Sequence, residues 1–122
     1  MLSNLEIYRR ATTGEICTEN DFDLKRFIPA VRRLVTKHGI KYDRTTPVPS
    51  DDDLAERVWQ AGKELFLEVG VYCVDTERLI KFDPVEVDQA VAHAPRPVIL
   101  GTGQHAKAIH VRRPESSITP FF

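Results

Sequence analysis

Four groups of residues in this 122-residue chain are of types that could do chemistry: the thiols Cys17 and Cys73, the histidines His93, His105 and His110, the aspartate run Asp51 to Asp53, and the turn Gly101-Thr102-Gly103. A thiol becomes a nucleophile when a base lies within hydrogen-bond reach and its pKa is depressed. Cys73 sits between Tyr72 and Val74 on an apolar segment. Its sequence neighbours identify neither feature, so the expectation is a small buried core cysteine. The histidines lack the i, i+4 spacing of a zinc helix and have no cysteine pair beside them, so solvated or capping roles are expected. His38, next to Gly39, falls at a helix end, where a cation complements the dipole. A calcium loop spaces its ligands alternately around a sharp turn; three adjacent aspartates instead suit the start of a helix. A dinucleotide fingerprint needs a third glycine and a helix after it. Here Gln104, His105 and a strand-like segment follow, which makes a tight turn the better account. The residues themselves therefore assign no catalytic, cofactor-binding or metal-ligating position.

The elements that would position these groups come mostly from helix signals. Ser3 and Glu6 have the form of a capping box opening a helix to about Thr13, stopped by Gly14. Thr18 and Asp21 repeat the pattern. Leu24, Phe27, Ile28, Val31, Leu34 and Val35 then recur at helical spacing. Pro29 interrupts them, as either a kink or the first turn of a new helix. Gly39 is a C-terminal stop. A polar loop with two prolines spans Lys41 to Pro49. Ser50 and the three aspartates open the longest helix, striped by Leu54, Val58, Ala61, Leu65 and Val69 and widened by Trp59 and Phe66. Gly62 lowers helix propensity by about 1 kcal/mol against Ala, which implies that another element packs closely there. Gly70 ends the helix.

Val71–Val74 and Leu79–Phe82 read as short strands around the turn Asp75 to Arg78. Asp83, Pro84 and Glu86 fit N-cap, N1 and N3 of a further helix that carries Val87, Ala90, Val91 and Ala94. Val98–Leu100 and Ala108–Val111 read as two more strands. Trp59, Phe66, Tyr72 and Phe82 are expected in the core, and Arg9-Arg10 and Arg32-Arg33 on solvated faces. The fold class is α+β, predominantly helical with a few short strands. Without βαβ alternation the chain is not itself a barrel or a doubly wound sheet. It divides into N-terminal helices (1–46), a main helix with short strands and a second helix (47–95), and a strand pair with a tail (96–122), all within one incomplete unit. The apolar Ile118, Phe121 and Phe122 at the end suggest truncation.

Composition excludes more than it identifies. Apolar residues at 42% and charged residues at 29% indicate a globular chain. Net charge −1 gives no reason to expect a nucleic-acid or membrane partner. No apolar run approaches the ~18 residues of a membrane span and no secretory signal opens the chain. A cytoplasmic protein with free thiols is expected. Charge is uneven: residues 1–46 hold nine basic and six acidic residues, 47–95 four and eleven, and 96–122 four and one. The acidic middle is expected to pack near the basic ends.

The segment LEVGVYCVDTERLIKF (Leu67 to Phe82), followed by VILGTGQHAKAIHVRR and preceded by IYRRATTGEICTENDFDL and Gly39-Ile40, resembles the N-terminal region of the monomethylamine:corrinoid methyltransferases. The resemblance runs from about Leu5 to Arg113. Trimethylamine and betaine methyltransferases share a looser version of Gly70 to Gly103. The resemblance implies a complete enzyme with a (β/α)₈ barrel behind a helical N-terminal extension. That enzyme passes a methyl group from methylamine to the cobalt of a corrinoid on a separate protein, as in methanogenesis, and it is a homo-oligomer. A pyrrolysine in the barrel is implied as the group that binds the amine. None of these catalytic residues maps onto this sequence, so the resemblance implies an N-terminal fragment, inactive alone, that holds no cofactor. Its partners would be the remainder of the barrel and the corrinoid protein. The alternative is a freestanding binding or regulatory module derived from the same region.

Overall fold

The computed structural model describes residues 2–119. Helix α1 (Asn4–Thr13) begins at Ser3, whose hydroxyl accepts from the Glu6 N–H, and ends at Gly14. Half of the anticipated capping box is formed. The Glu6 carboxylate turns away from the cap to Arg9 and Arg10, because two guanidinium groups outcompete one backbone amide. A single turn, α2 (Glu19–Asp21), capped by Thr18, runs into a π-helical stretch (Phe22–Phe27) and then into α3 (Ile28–Lys37). Pro29 falls in the first turn of α3, as one of its two readings expects; the π-helical junction ahead of it is the unanticipated part. The chain stays helical through it, with the Ile28 N–H bonded to the Asp23 carbonyl five residues back. The wider turn sits just ahead of Pro29, which has no N–H to give and whose ring crowds the preceding turn. His38 caps α3. The Gly39 N–H donates to the Thr36 carbonyl and the Ile40 N–H to Val35, a Schellman closure with Gly39 at φ +59°.

Helix α4 (Asp52–Val69) is capped by Asp51, not Ser50: its carboxylate accepts from the Leu54 N–H at 3.0 Å. Asp52 and Asp53 occupy the first turn, where the dipole favours them. Strands β1 (Val71–Cys73) and β2 (Arg78–Ile80) pair antiparallel, with Tyr72 opposite Leu79. Helix α5 (Pro84–Ala92) carries a complete capping box from Asp83 and Glu86. Strands β3 (Val98–Leu100) and β4 (Lys107–Ile109) form a separate antiparallel pair joined through a 3₁₀ turn at Gly103–His105.

The core is small and lies where these pieces cross. Leu34 and Leu79 are its most enclosed side chains, with Cys17, Ala30, Ala61, Val69 and Ile80 around them. An unanticipated extension of the sheet ties the N-terminus into it. The segment Glu15 to Cys17 runs along β2: the Leu79 N–H donates to the Glu15 carbonyl and the Cys17 N–H to the Glu77 carbonyl, both at 2.9 Å. Gly14 permits this approach. A Cβ there would overlap the Leu79 carbonyl oxygen and lie 2.7 Å from the Arg10 carbonyl oxygen. The Thr76 hydroxyl donates to the Ala11 carbonyl at 2.6 Å and the Arg78 guanidinium to the Gly14 carbonyl at 2.6 Å, locking the same corner.

The charge segregation has a structural outcome. Basic residues of α3 meet acidic residues of α4 through Arg33–Glu68, Lys37–Glu64 and His38–Glu64, and α1 meets α5 through Arg10–Glu86. The basic C-terminal part contributes only Arg113–Asp52 among the described residues, at 3.9 Å and exposed on both sides. Such a pair is worth little in water. Phe66 and Phe82 stack at 5.0 Å and Tyr72 on Phe22 at 5.4 Å, but these three expected core aromatics are only half-buried, at the edge of a core made of smaller side chains. Trp59 is half exposed, and so is Val58. Helix α4 packs chiefly on α3, and Val58 and Trp59 lie on the flank of its apolar stripe that this packing leaves half exposed.

Candidate functional site

The strongest polar cluster is built around Arg10, a residue expected on a solvated face. Its guanidinium donates to both Glu86 carboxylate oxygens at 2.7 and 2.8 Å, to Glu6 at 2.8 Å and to the Lys81 carbonyl at 2.9 Å. Arg10 stands in the last turn of helix α1, held by Glu6 one turn earlier, and the Asp83 cap of α5 aims Glu86 back, since Glu86 also accepts from the Asp83 N–H. The hydrogen bonds from Arg10 hold Glu86 down to about 2, and those from Arg9 and Arg10 do the same to Glu6. Both carboxylates therefore stay ionised near neutral pH and have no proton to give. The chemistry of the cluster is that of a clamp between α1, β2 and α5.

The residues singled out from sequence are placed apart from one another. Cys17 is buried, and its thiol donates to the Thr18 carbonyl at 3.4 Å. Cys73 is half-buried in β1, with its pKa lowered by hydrogen bonds from Thr76. The buried core thiol expected at Cys73 is thus found at Cys17. His38 Nε2 lies 3.0 Å from Glu64, and His93 Nδ1 lies 2.7 Å from the Gln89 carbonyl at the end of α5. His105 lies in the turn between β3 and β4, and His110 just beyond β4. Among the described residues no three His, Cys, Asp or Glu side chains converge as metal ligands. Gly101 and Gly103, at φ +85° and +56°, form the turn, and no α-helix follows it among the described residues.

Two of the open grooves border α4. One, of about 670 Å³, lies between the 40–50 loop and α4. Three of its charged groups, Asp43, Asp51 and Arg57, are already committed. Asp43 accepts from Thr45, and Asp51 caps α4. Arg57 bonds Asp53 and the His38 and Gly39 carbonyls. The other, of about 380 Å³, is apolar and lined by Phe22, Phe27, Leu65, Phe66 and Tyr72 around Gly62. The π-helical stretch stacks Phe22 and Phe27, five residues apart, at 6.1 Å along one wall. A Cβ built on Gly62 meets nothing within 4 Å. The close neighbour expected at Gly62 is therefore absent among the described residues.

The family model for "Monomethylamine methyltransferase MtmB" matches residues 2–122. The chain belongs to that family. Monomethylamine methyltransferase MtmB3 of Methanosarcina barkeri is 37% identical over 108 residues, and monomethylamine methyltransferase MtmB of Methanosarcina mazei is equally similar. In each case the match covers 88% of this chain and 23% of the relative. The crystal structure of the Methanosarcina barkeri monomethylamine methyltransferase (MtmB) superimposes with a TM-score of 0.78 at 34% identity, covering 87% of this chain and 23% of that one. A hydroxylamine complex of MtmB matches equally well. The chain thus spans about a quarter of the length of these relatives. The Arg10–Glu86 clamp was missed because its partners are 76 residues apart; the one local signal was Glu86 at N3 of a helix, which accounts for only half of its bonding.

Proposed function

We propose that this chain is the N-terminal scaffold of a monomethylamine:corrinoid methyltransferase and carries no methyl-transfer activity by itself. In this reading the remaining three-quarters of an MtmB-length protein forms a (β/α)₈ barrel. The barrel takes monomethylamine and passes its methyl group to a corrinoid carried on a separate protein, within a homo-oligomer. The observation that supports it most is the match over nearly the whole chain to less than a quarter of each relative. The site chemistry agrees: the best-formed polar cluster is a clamp of groups that are ionised near neutral pH. Arg10, Glu6 and Glu86 hold α1 against β2 and α5, and the segment Glu15 to Cys17 extends the sheet, so the chain's own residues build and orient a rigid platform.

Reading the coding DNA beyond Phe122 tests the proposal. A barrel-encoding sequence resembling the rest of the Methanosarcina relatives is the expected result. Downstream DNA without one overturns the scaffold reading and leaves the freestanding module.

A further inference from the structure

We propose that the apolar groove over Gly62 is the seat of an apolar side chain from the remaining three-quarters of the methyltransferase. This inference rests on the scaffold reading and adds to it the face that docks.

Gly62 stands at the eleventh residue of an 18-residue helix. A glycine there is disfavoured by about 1 kcal/mol against alanine, because it freezes the most backbone freedom and adds no side-chain contact. That cost can be offset where a neighbour packs closely on the bare backbone. Among the described residues Gly62 has none, since a Cβ would meet open space. Around it, Phe22, Phe27, Leu65, Phe66, Val69 and Tyr72 form walls but no roof. Phe27 remains 40% exposed although it stacks on Phe22. The wall is built on a π-helical stretch, an irregularity that recurs at functional sites. None of the described residues folds over the groove; the β3–β4 hairpin lies apart from the core, with both strands exposed along their length.

The choice of occupant follows from length. The crystal structure of the Methanosarcina barkeri enzyme superimposes on this chain at a TM-score of 0.78, and the match is 23% of that enzyme's chain. Over three times as much polypeptide therefore accompanies it there. The groove's lining is nearly all apolar, with Asp23 the one charged residue. The occupant is accordingly a leucine, methionine or phenylalanine knob, which the missing Cβ at position 62 lets down onto the helix backbone. A basic neighbour of the knob would complement Asp23.

The test uses a full-length chimera in which this chain replaces the matched first quarter of the Methanosarcina mazei enzyme. Gly62→Trp fills the groove, and Gln60→Trp places the same ring on an exposed position two residues away. In the 122-residue chain alone neither variant should lower the urea midpoint appreciably. In the chimera Gly62→Trp should lower the melting temperature by several degrees and Gln60→Trp should leave it in place. A wild-type chimera that unfolds cooperatively and tolerates Gly62→Trp overturns the groove proposal and keeps the scaffold reading. A wild-type chimera that does not fold overturns the scaffold reading and this inference with it. A dimer of the isolated chain that Gly62→Trp dissociates assigns the groove to a second copy and also overturns the proposal.

Discussion

Two glycines in this chain should respond to the same substitution with opposite signs. Gly14 has φ −64° and ψ 173°, a conformation open to any residue, so Gly14→Ala incurs no backbone strain. Its cost is steric: the new methyl overlaps the Leu79 carbonyl oxygen and crowds the Arg10 carbonyl, and both neighbours are backbone that cannot rotate away. Separating α1 from β2 by the required amount is an overpacking penalty of about 1–3 kcal/mol. The reduced entropy of the unfolded chain returns about 0.4–1 kcal/mol of it. Gly62→Ala gains the same entropy and the helix propensity of alanine with no clash, so it should stabilise by about 0.5–1 kcal/mol. For a chain of this length each kcal/mol moves the melting temperature by roughly 3–4 °C. The two variants should therefore separate by roughly 2–14 °C, with wild type between them. Thermal and urea unfolding followed by circular dichroism measure this. If Gly14→Ala melts at or above wild type, the crossing of α1 and β2 is not as close as described. If Gly62→Ala melts below wild type, the isolated chain already covers Gly62 and the argument about the groove fails.

Three further outcomes follow from the same geometry. Leu79→Ala empties an enclosed position that is 1% exposed and should cost about 2–5 kcal/mol by urea unfolding, whereas Leu5→Ala, at 76% exposed, should stay within about 0.5 kcal/mol; equal costs would contradict the core assignment. Arg10→Ala should lower the melting temperature near pH 7. Glu6 and Glu86 are depressed from 4.5 to about 2, so their contribution is complete above pH 4.5 and lost as pH falls towards 2. The gap between wild type and Arg10→Ala should thus close over that window, and a gap constant down to pH 2 would mean that charge pairing is not what Arg10 supplies. Asp51→Ala should cost about 1 kcal/mol and Ser50→Ala almost nothing, the reverse ranking showing that Ser50 is the cap.

What the sequence made legible was local. The caps at Ser3, Thr18 and Asp83, and the helix ends at Gly14, Gly39 and Gly70, depend on side chains within a few residues of the backbone groups they satisfy. They could be read from spacing. The strand pairs were placed to within one or two residues, since apolar runs mark existence better than boundaries. Ser50 and Asp51 were confused because both residue types cap equally well. The sheet extension at Glu15 to Cys17 carries no alternation to detect over three residues. The Arg10 clamp needs α1 and α5 to meet, which no local pattern encodes. Trp59 and Val58 follow a helical stripe whose lower part is buried and whose flank is bare; a stripe records what the helix can cover, not which neighbour arrives. Ile118 is half exposed, and the phenylalanines Phe121 and Phe122 lie outside the described residues.

The measurement closest to the central claim is methyl transfer from monomethylamine to a corrinoid protein, run with the 122-residue chain alone and with the chimera carrying the rest of the Methanosarcina mazei enzyme. The scaffold account predicts no transfer by the chain and transfer by the chimera. Turnover by the isolated chain, or a folded chimera that is inert, would contradict it.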